Sequence, residues 1–448
     1  MSAFKTGLPG GQQEGAPVTQ SVPSLPGFHI MTKPTGPICN LDCKYCFYLE
    51  KERLYPPKTD WRMAPETLEA FIQQHIEAHS IPDVIFAWQG GEPTLLGVDY
   101  FRQVVALQNR YRAGKRIQNA FQTNGVLIDD EWCQFFKAND FLVGISIDGP
   151  QHLHDFYRVD RGGKPSFERV MRGLEALQRN QVEFNTLTVV NRANQGHPLE
   201  VYAFLKEIGS LVMQFIPLVE RMVAADAMAS PTQAGQLAEW SVQAEPYGRF
   251  LTRIFDQWVQ NDVGKHFVQI FDISLESWMG MPQSLCWFRE TCGAAMALEH
   301  NGDLYSCDHY VYPENRLGNI LDQPLKSLVN SPQQQKFGLD KKDALPRYCQ
   351  NCDVRFACNG ECPKHRFLQT PDGEEGLNYL CAGYLRFFRH VNPYMRFMAA
   401  MLHQRRSPAF VMGFAKELEK EFARAQPGQS CPCRIPQNYE KCCGRTRA

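Results

Sequence analysis

The sequence predicts an α/β chain in two parts: a parallel sheet, in barrel or open form, followed by a domain organised by cysteines. Between residues 84 and 217 short β-rich runs alternate with amphipathic stretches. Beyond residue 283 that periodicity fades into cysteine-punctuated loops. At 448 residues, with 44% apolar residues and 29 phenylalanines, the chain is long enough to bury a large core.

Taken in order, residues 7–27 are rich in Gly, Pro, Gln and Ser and read as a mobile tail, which sets residues 1–27 apart. The runs 84–88, 117–122, 141–147, 183–190 and 211–217 read as strands, and 65–79, 100–111, 129–138, 166–179 and 198–208 as helices. In the first helix Leu68, Phe71, Ile72 and Ile76 mark one apolar face. Strand alternating with helix implies parallel pairing, because each connection crosses the sheet. A helix-rich segment spans 232–263. The expected division is 28–265 for the sheet domain and 266–395 for the cysteine-rich domain. A helical linker, 396–426, contains the charged connecting helix 410–424, and a small module occupies 427–448.

A net charge of −1 and the lack of any long Lys/Arg block remove the electrostatic footprint of a nucleic-acid binder. No apolar run approaches the roughly 20 residues that cross a bilayer, and the first 27 residues lack the basic and apolar regions of a signal peptide. A cytoplasmic protein with no membrane partner is expected. In that compartment thiolates bind metal more often than they form disulfides, and this governs the reading of the 16 cysteines. Cys133 stands alone inside an amphipathic helix and reads as a packed apolar thiol. The others fall in four groups.

The first group lies in ICNLDCKYCFY at 38–48, with Cys39, Cys43 and Cys46 in CxxxCxxC spacing. Three thiolates on a [4Fe–4S] cluster leave one iron open to bind and activate something else; four would make an electron carrier or a staple. This loop resembles that of the radical S-adenosylmethionine (SAM) superfamily, and an incomplete zinc site is the alternative. Three further turns match at predicted strand ends: GGEP at 90–93, QTNG at 122–125 and SIDGP at 146–150. The resemblance implies a partial (β/α)6 TIM-like barrel in which Gly90, Gly91 and Glu92 form the turn that presents backbone carbonyl oxygen to the SAM ammonium group. It also implies that Ser146 and Arg158 hold the SAM carboxylate.

The second and third groups, Cys286, Cys292 and Cys307, then Cys349, Cys352, Cys358, Cys362 and Cys381, resemble the SPASM extension, with two auxiliary [4Fe–4S] clusters. The family's interleaved ligation implies Cys286, Cys292, Cys307 and Cys362 at one cluster and Cys349, Cys352, Cys358 and Cys381 at the other. Paired zinc ribbons are the alternative, and CxxC at 349–352 would suit them. Within this group CFY at 46–48, QGGEP at 89–93, QFIPL at 214–218 and YSCDHYV at 305–311 resemble the anaerobic sulfatase-maturating enzymes over roughly residues 28–395. That family oxidises a cysteine or serine of a nascent, unfolded sulfatase to Cα-formylglycine without oxygen. The resemblance implies three [4Fe–4S] clusters, SAM, and a cytoplasmic electron donor such as flavodoxin or ferredoxin. It makes Asp308 the general base and places Tyr48, Gln89 and Leu218 in the cofactor and substrate pocket. Another SPASM peptide maturase, forming thioethers for example, or a non-catalytic metal-stapled adaptor are the alternatives.

The fourth group, Cys431, Cys433, Cys442 and Cys443, resembles the SEC-C motif: CxC, eight residues, then CC, a set that would close a tetrahedral zinc site. That motif's usual GlySerGly is replaced by ArgIlePro at 434–436.

Overall fold

Six strands form the centre of the fold: β1 (His29–Lys33), β2 (Asp83–Trp88), β3 (Arg116–Thr123), β4 (Phe141–Ser146), β5 (Phe184–Val190) and β6 (Val212–Pro217). The computed structural model describes residues 27–222, 235–432 and 438. Neighbours from β1 to β6 pair parallel and in sequence order. Between them run α1 (Pro65–Ala78), α2 (Val98–Tyr111), α3 (Asp130–Ala138), α4 (Gln151–Tyr157), α5 (Phe167–Arg179) and α6 (Pro198–Glu207). The five predicted strands and their helices fall within one or two residues of expectation, and the fold is the partial α/β barrel. Local chemistry explains the ends. Pro65 opens α1 at the position where a missing N–H costs nothing. Asp129 caps α3, accepting from the Trp132 amide at 3.0 Å. Cys133 is fully buried in α3.

Most strands of the cysteine-rich region extend the barrel sheet, and one small hairpin, Leu368–Gln369 against Glu375–Leu377, stands apart from it. A short hairpin, β7 (Arg221–Met222) and β8 (Gln236–Leu237), is followed by α7 (Ala244–Asn261), and β9 (Phe267–Val268) then pairs parallel with β6. The helix-rich expectation for 232–263 is met only from Ala244 onward; 236–237 is strand, and 232–234 lie outside the described residues. Next, β10 (Ala295–Glu299) pairs parallel with β1, and β11 (Asp303–Tyr305) and β12 (Arg316–Asn319) continue antiparallel. Sheet hydrogen bonds therefore run across the expected domain boundary, because Met296, Ala297 and Leu298 are fully buried against the barrel edge.

Helix Cys381–His403 crosses α7 so closely that a Cβ on Gly248 would meet Gly383 Cα at 2.7 Å, and only glycine allows that approach. Helix Val411–Arg424 is packed down as well: Val411, Ala415, Leu418 and Phe422 are buried, and Tyr394 donates to Glu419 at 2.8 Å. Residues 1–26 of the expected tail 1–27, and the module residues Cys433, Cys442, Cys443 and 434–436, lie outside the described residues. Among the described residues no helix is long and apolar enough to cross a membrane.

Helix α8 (Gln269–Trp278) carries a partly buried acid. Burial and then the Glu276 charge raise Asp272 to about 7. A raised carboxyl favours the unfolded state above its ordinary pKa of 3.8, and the cost is complete only above about pH 7. Asp272→Asn is expected to add about 1–2 kcal/mol at pH 8 and less at pH 5, read from thermal midpoints at both.

Candidate active site and auxiliary-cluster sites

The C-terminal ends of the parallel strands converge at the barrel mouth, where this class of sheet places its chemistry. The loop after β1 is held there by backbone bonds, from Asp42 N to Val159 O at 2.8 Å and from Lys44 N to Tyr157 O at 3.0 Å. It carries Cys39, Cys43 and Cys46, all half-buried and within electrostatic reach of one another. Burial pushes Cys39 and Cys43 up to about 12, so as free thiols they hold their protons at neutral pH and a metal must displace them.

The turn at Gly90, Gly91 and Glu92 docks on this loop. Gly91 N donates to Gly36 O and Glu92 N to Ile38 O, each at 2.8 Å. The Glu92 carboxylate is fully buried and bound internally, accepting from Thr94 N, Thr94 Oγ1, Thr123 Oγ1 and Asn124 N at 2.6–3.0 Å. It locks the ends of β2 and β3 together, which leaves the turn's backbone for any ligand. A Cβ on Gly91 would sit 1.9 Å from Ile38 O. Gly91→Ala is accordingly expected to cost about 1–3 kcal/mol or more and to remove SAM cleavage; an unchanged thermal midpoint with unchanged 5′-deoxyadenosine output would contradict this docking.

Gln89 is half-buried at the end of β2, its amide donating to Thr32 O at 2.8 Å. Ser146 ends β4 and accepts from Gln122 Nε2 at 3.0 Å. Arg158 is buried; Nη1 donates to the Tyr45 hydroxyl at 2.9 Å, which donates to Asp148 at 2.6 Å. Arg158 Nε is buried without a hydrogen-bond partner, a donor that fits an anionic ligand group. Leu218 packs with Tyr45 and Tyr157 beside Cys43. Asn124, quoted only as part of a motif, donates to Asn40 at 2.7 Å and lies 3.5 Å from Cys39 Sγ.

Sequence reasoning missed Lys33. It ends β1, and its Nζ lies 2.5 Å from Asp308 Oδ1, with side-chain exposures of 3% and 12%. Tyr48 lies beneath it: the ammonium is 4.5 Å from the ring centre, and the Tyr48 hydroxyl donates to the fully buried Glu299. Burial alone would raise the Asp308 carboxyl, but the Lys33 charge paired with it holds it below the usual range. A buried charge stripped of its partner costs about 3–5 kcal/mol, so neither member stands well alone. The available signal was a lone Lys closing an otherwise uncharged run, HIMTK.

Two more thiol sets assemble beside the barrel. Cys349, Cys352, Cys358 and Cys381 line one pocket. Cys307 lies within electrostatic reach of Cys362 and Cys286, and Cys362 of Cys292 and Cys286. Cys358 and Cys362, four residues apart, serve different sets because Asn359, Gly360 and Glu361 are all left-handed, at φ 46°, 69° and 51°. The strained turn is over-determined. Arg366 donates to the carbonyls of Lys341, Gly360, Asn359 and Glu361 at 2.6–2.9 Å, and buried Glu361 pairs with His365 at 2.9 Å and Asn378 at 2.6 Å. Two sets of four thiols suit iron–sulfur clusters. Of the C-terminal group only Cys431 is described: it is buried, and an antiparallel bridge joins Ser430 to Asn438.

A family model described as the radical SAM superfamily matches residues 34–205, and an iron–sulfur cluster-binding SPASM model matches residues 286–353. A serine-type anaerobic sulfatase-maturating enzyme of Bacteroides thetaiotaomicron is 47% identical over 404 residues, 89% of this chain and 98% of that protein. A cysteine-type enzyme of Clostridium perfringens is 33% identical over 373 residues, 82% of this chain and 97% of that protein. The solved structure of native anSMEcpe with bound AdoMet and Cp18Cys peptide superposes with a TM-score of 0.73 at 31% identity, over 84% of this chain and 99% of that one. A likeness that runs through both the barrel and the cysteine-rich domain, and spans nearly all of each relative, shows that this chain belongs to the anaerobic sulfatase-maturating enzymes of the radical SAM superfamily.

Proposed function

We propose that the chain oxidises a serine of an unfolded sulfatase polypeptide, or a cysteine at the same place, to Cα-formylglycine without oxygen. The single observation that carries serine as the first target is the 34–47% identity to the serine-type relatives, against 32–33% to the cysteine-type ones. When bound, SAM and the clusters would supply a radical that takes a hydrogen atom from substrate Cβ and an acceptor for the second electron.

The chain's own residues do the rest. Cys39, Cys43 and Cys46 would hold the reactive cluster. The Gly90–Glu92 backbone, Ser146 and Arg158 orient the SAM amino and carboxylate groups, an assignment supported by the buried unpaired Arg158 Nε. Tyr48, Gln89 and Leu218 wall the pocket. Cys286, Cys292, Cys307 and Cys362 would hold one auxiliary cluster, and Cys349, Cys352, Cys358 and Cys381 the other. Asp308 accepts the hydroxyl or thiol proton. From serine, loss of a hydrogen atom, a proton and an electron gives the aldehyde directly. Cysteine gives a thioaldehyde, which water hydrolyses with release of hydrogen sulfide. A flavodoxin- or ferredoxin-like donor supplies electrons, and the setting is the cytoplasm.

The test is anaerobic incubation with matched sulfatase peptides bearing SxPxR or CxPxR, read by mass spectrometry. Formylglycine in the serine peptide is expected; a thioether and no aldehyde would replace this reading with that of another peptide maturase. The tail is proposed as a zinc module held by Cys431, Cys433, Cys442 and Cys443. Truncation after Gln426 spares helix Val411–Arg424 and should remove one zinc while leaving turnover of a short peptide intact. Zinc content that survives truncation would rule the module out.

A further inference from the structure

We propose that Lys33 is a positioning residue for the second half of the oxidation, holding Asp308 where the substrate hydroxyl or thiol gives up its proton. This rests on the reading of Asp308 as the base. Three distant parts of the chain meet at one ammonium group. Parallel register sets Lys33 beside Glu299 on β10. Its Nζ is 2.5 Å from Asp308 Oδ1, one residue after Cys307, and lies over the ring of Tyr48, two residues after Cys46. The Tyr48 hydroxyl is itself anchored on Glu299. The ammonium thus fixes the auxiliary-cluster loop against the radical-cluster loop, and the carboxylate cannot shift without moving both.

Two features point to position rather than stability. A buried ion pair contributes little net stability compared with apolar packing of the same volume, so its use here lies in fixing geometry. The pair is also open at one end only: Asp308 keeps 12% of its side chain exposed and Lys33 keeps 3%, so substrate meets the carboxylate and not the ammonium. A misplacement of about 1 Å at a proton acceptor can cost about 100-fold.

The experiment uses the full chain with its clusters reconstituted and a peptide carrying a Cβ-deuterated serine. Lys33→Met should keep its iron and still deliver deuterium into 5′-deoxyadenosine, while formylglycine falls about 100-fold. Lys33→Arg, which keeps the charge, should recover a measurable part of it. Lys33→Met with Asp308→Asn removes both charges, so its thermal midpoint should exceed that of Lys33→Met alone while formylglycine falls no further than in Asp308→Asn. Formylglycine and deuterium transfer that fall together, lost iron, or no rescue by arginine would make Lys33 a merely structural residue and overturn the proposal. Wild-type formylglycine from Asp308→Asn alone would instead remove the base assignment, a distinguishable result.

Discussion

Replacing Cys39, Cys43 and Cys46 together by alanine is expected to abolish 5′-deoxyadenosine production and to lower bound iron from about 12 atoms to about 8, with sulfide falling in step. The loop should keep its place without its thiols. Its backbone is tied to Tyr157 and Val159, and the Gly90–Glu92 turn is docked on Gly36 and Ile38. The loss is therefore chemical rather than a collapse of the barrel mouth. Because burial keeps these thiols protonated until metal arrives, alanine removes the ligands and leaves no buried charge behind. The two auxiliary sets lie on other loops and should fill normally. A triple variant that still cleaves SAM would place the reactive cluster elsewhere.

That site was legible in sequence because its parts are local. Turns such as GGEP and SIDGP sit within a few residues of the strand that presents them, and the strands betray themselves by apolar alternation. Contacts across distant segments leave no such trace. Nothing in HIMTK or in AMALE says that β1 and β10 pair, so the sheet's continuity into the cysteine-rich region was hidden, and with it the meeting of Lys33 and Asp308. The split between Cys358 and Cys362 came from family likeness; its physical cause, the left-handed run at 359–361, includes two residues that are not glycine and so gives no compositional signal. Helix Val411–Arg424 is a different case. The charges along it suit a solvated connector, yet its buried positions recur at helical spacing, and the helix packs against α7 and helix Cys381–His403.

Asp308→Asn is expected to separate radical generation from substrate oxidation. The amide keeps the volume of the carboxylate and loses its basicity. The substrate hydroxyl or thiol then has no positioned acceptor, and formylglycine should fall about 10²- to 10⁴-fold while 5′-deoxyadenosine is still made. A damaged cluster and a weakened fold would each leave a different signature. Asp308 follows Cys307 directly, so a disturbed ligand would lower iron, and an iron content equal to the parent's excludes it. Asp308 also pairs with Lys33, so the variant leaves a buried ammonium without its counter-charge and should lower the thermal midpoint. That loss of stability alone would not spare SAM cleavage selectively, whereas removal of the base would. With iron intact, wild-type formylglycine from the Asn variant would refute Asp308 as the base and leave a bound water or another side chain at the barrel mouth to take the proton.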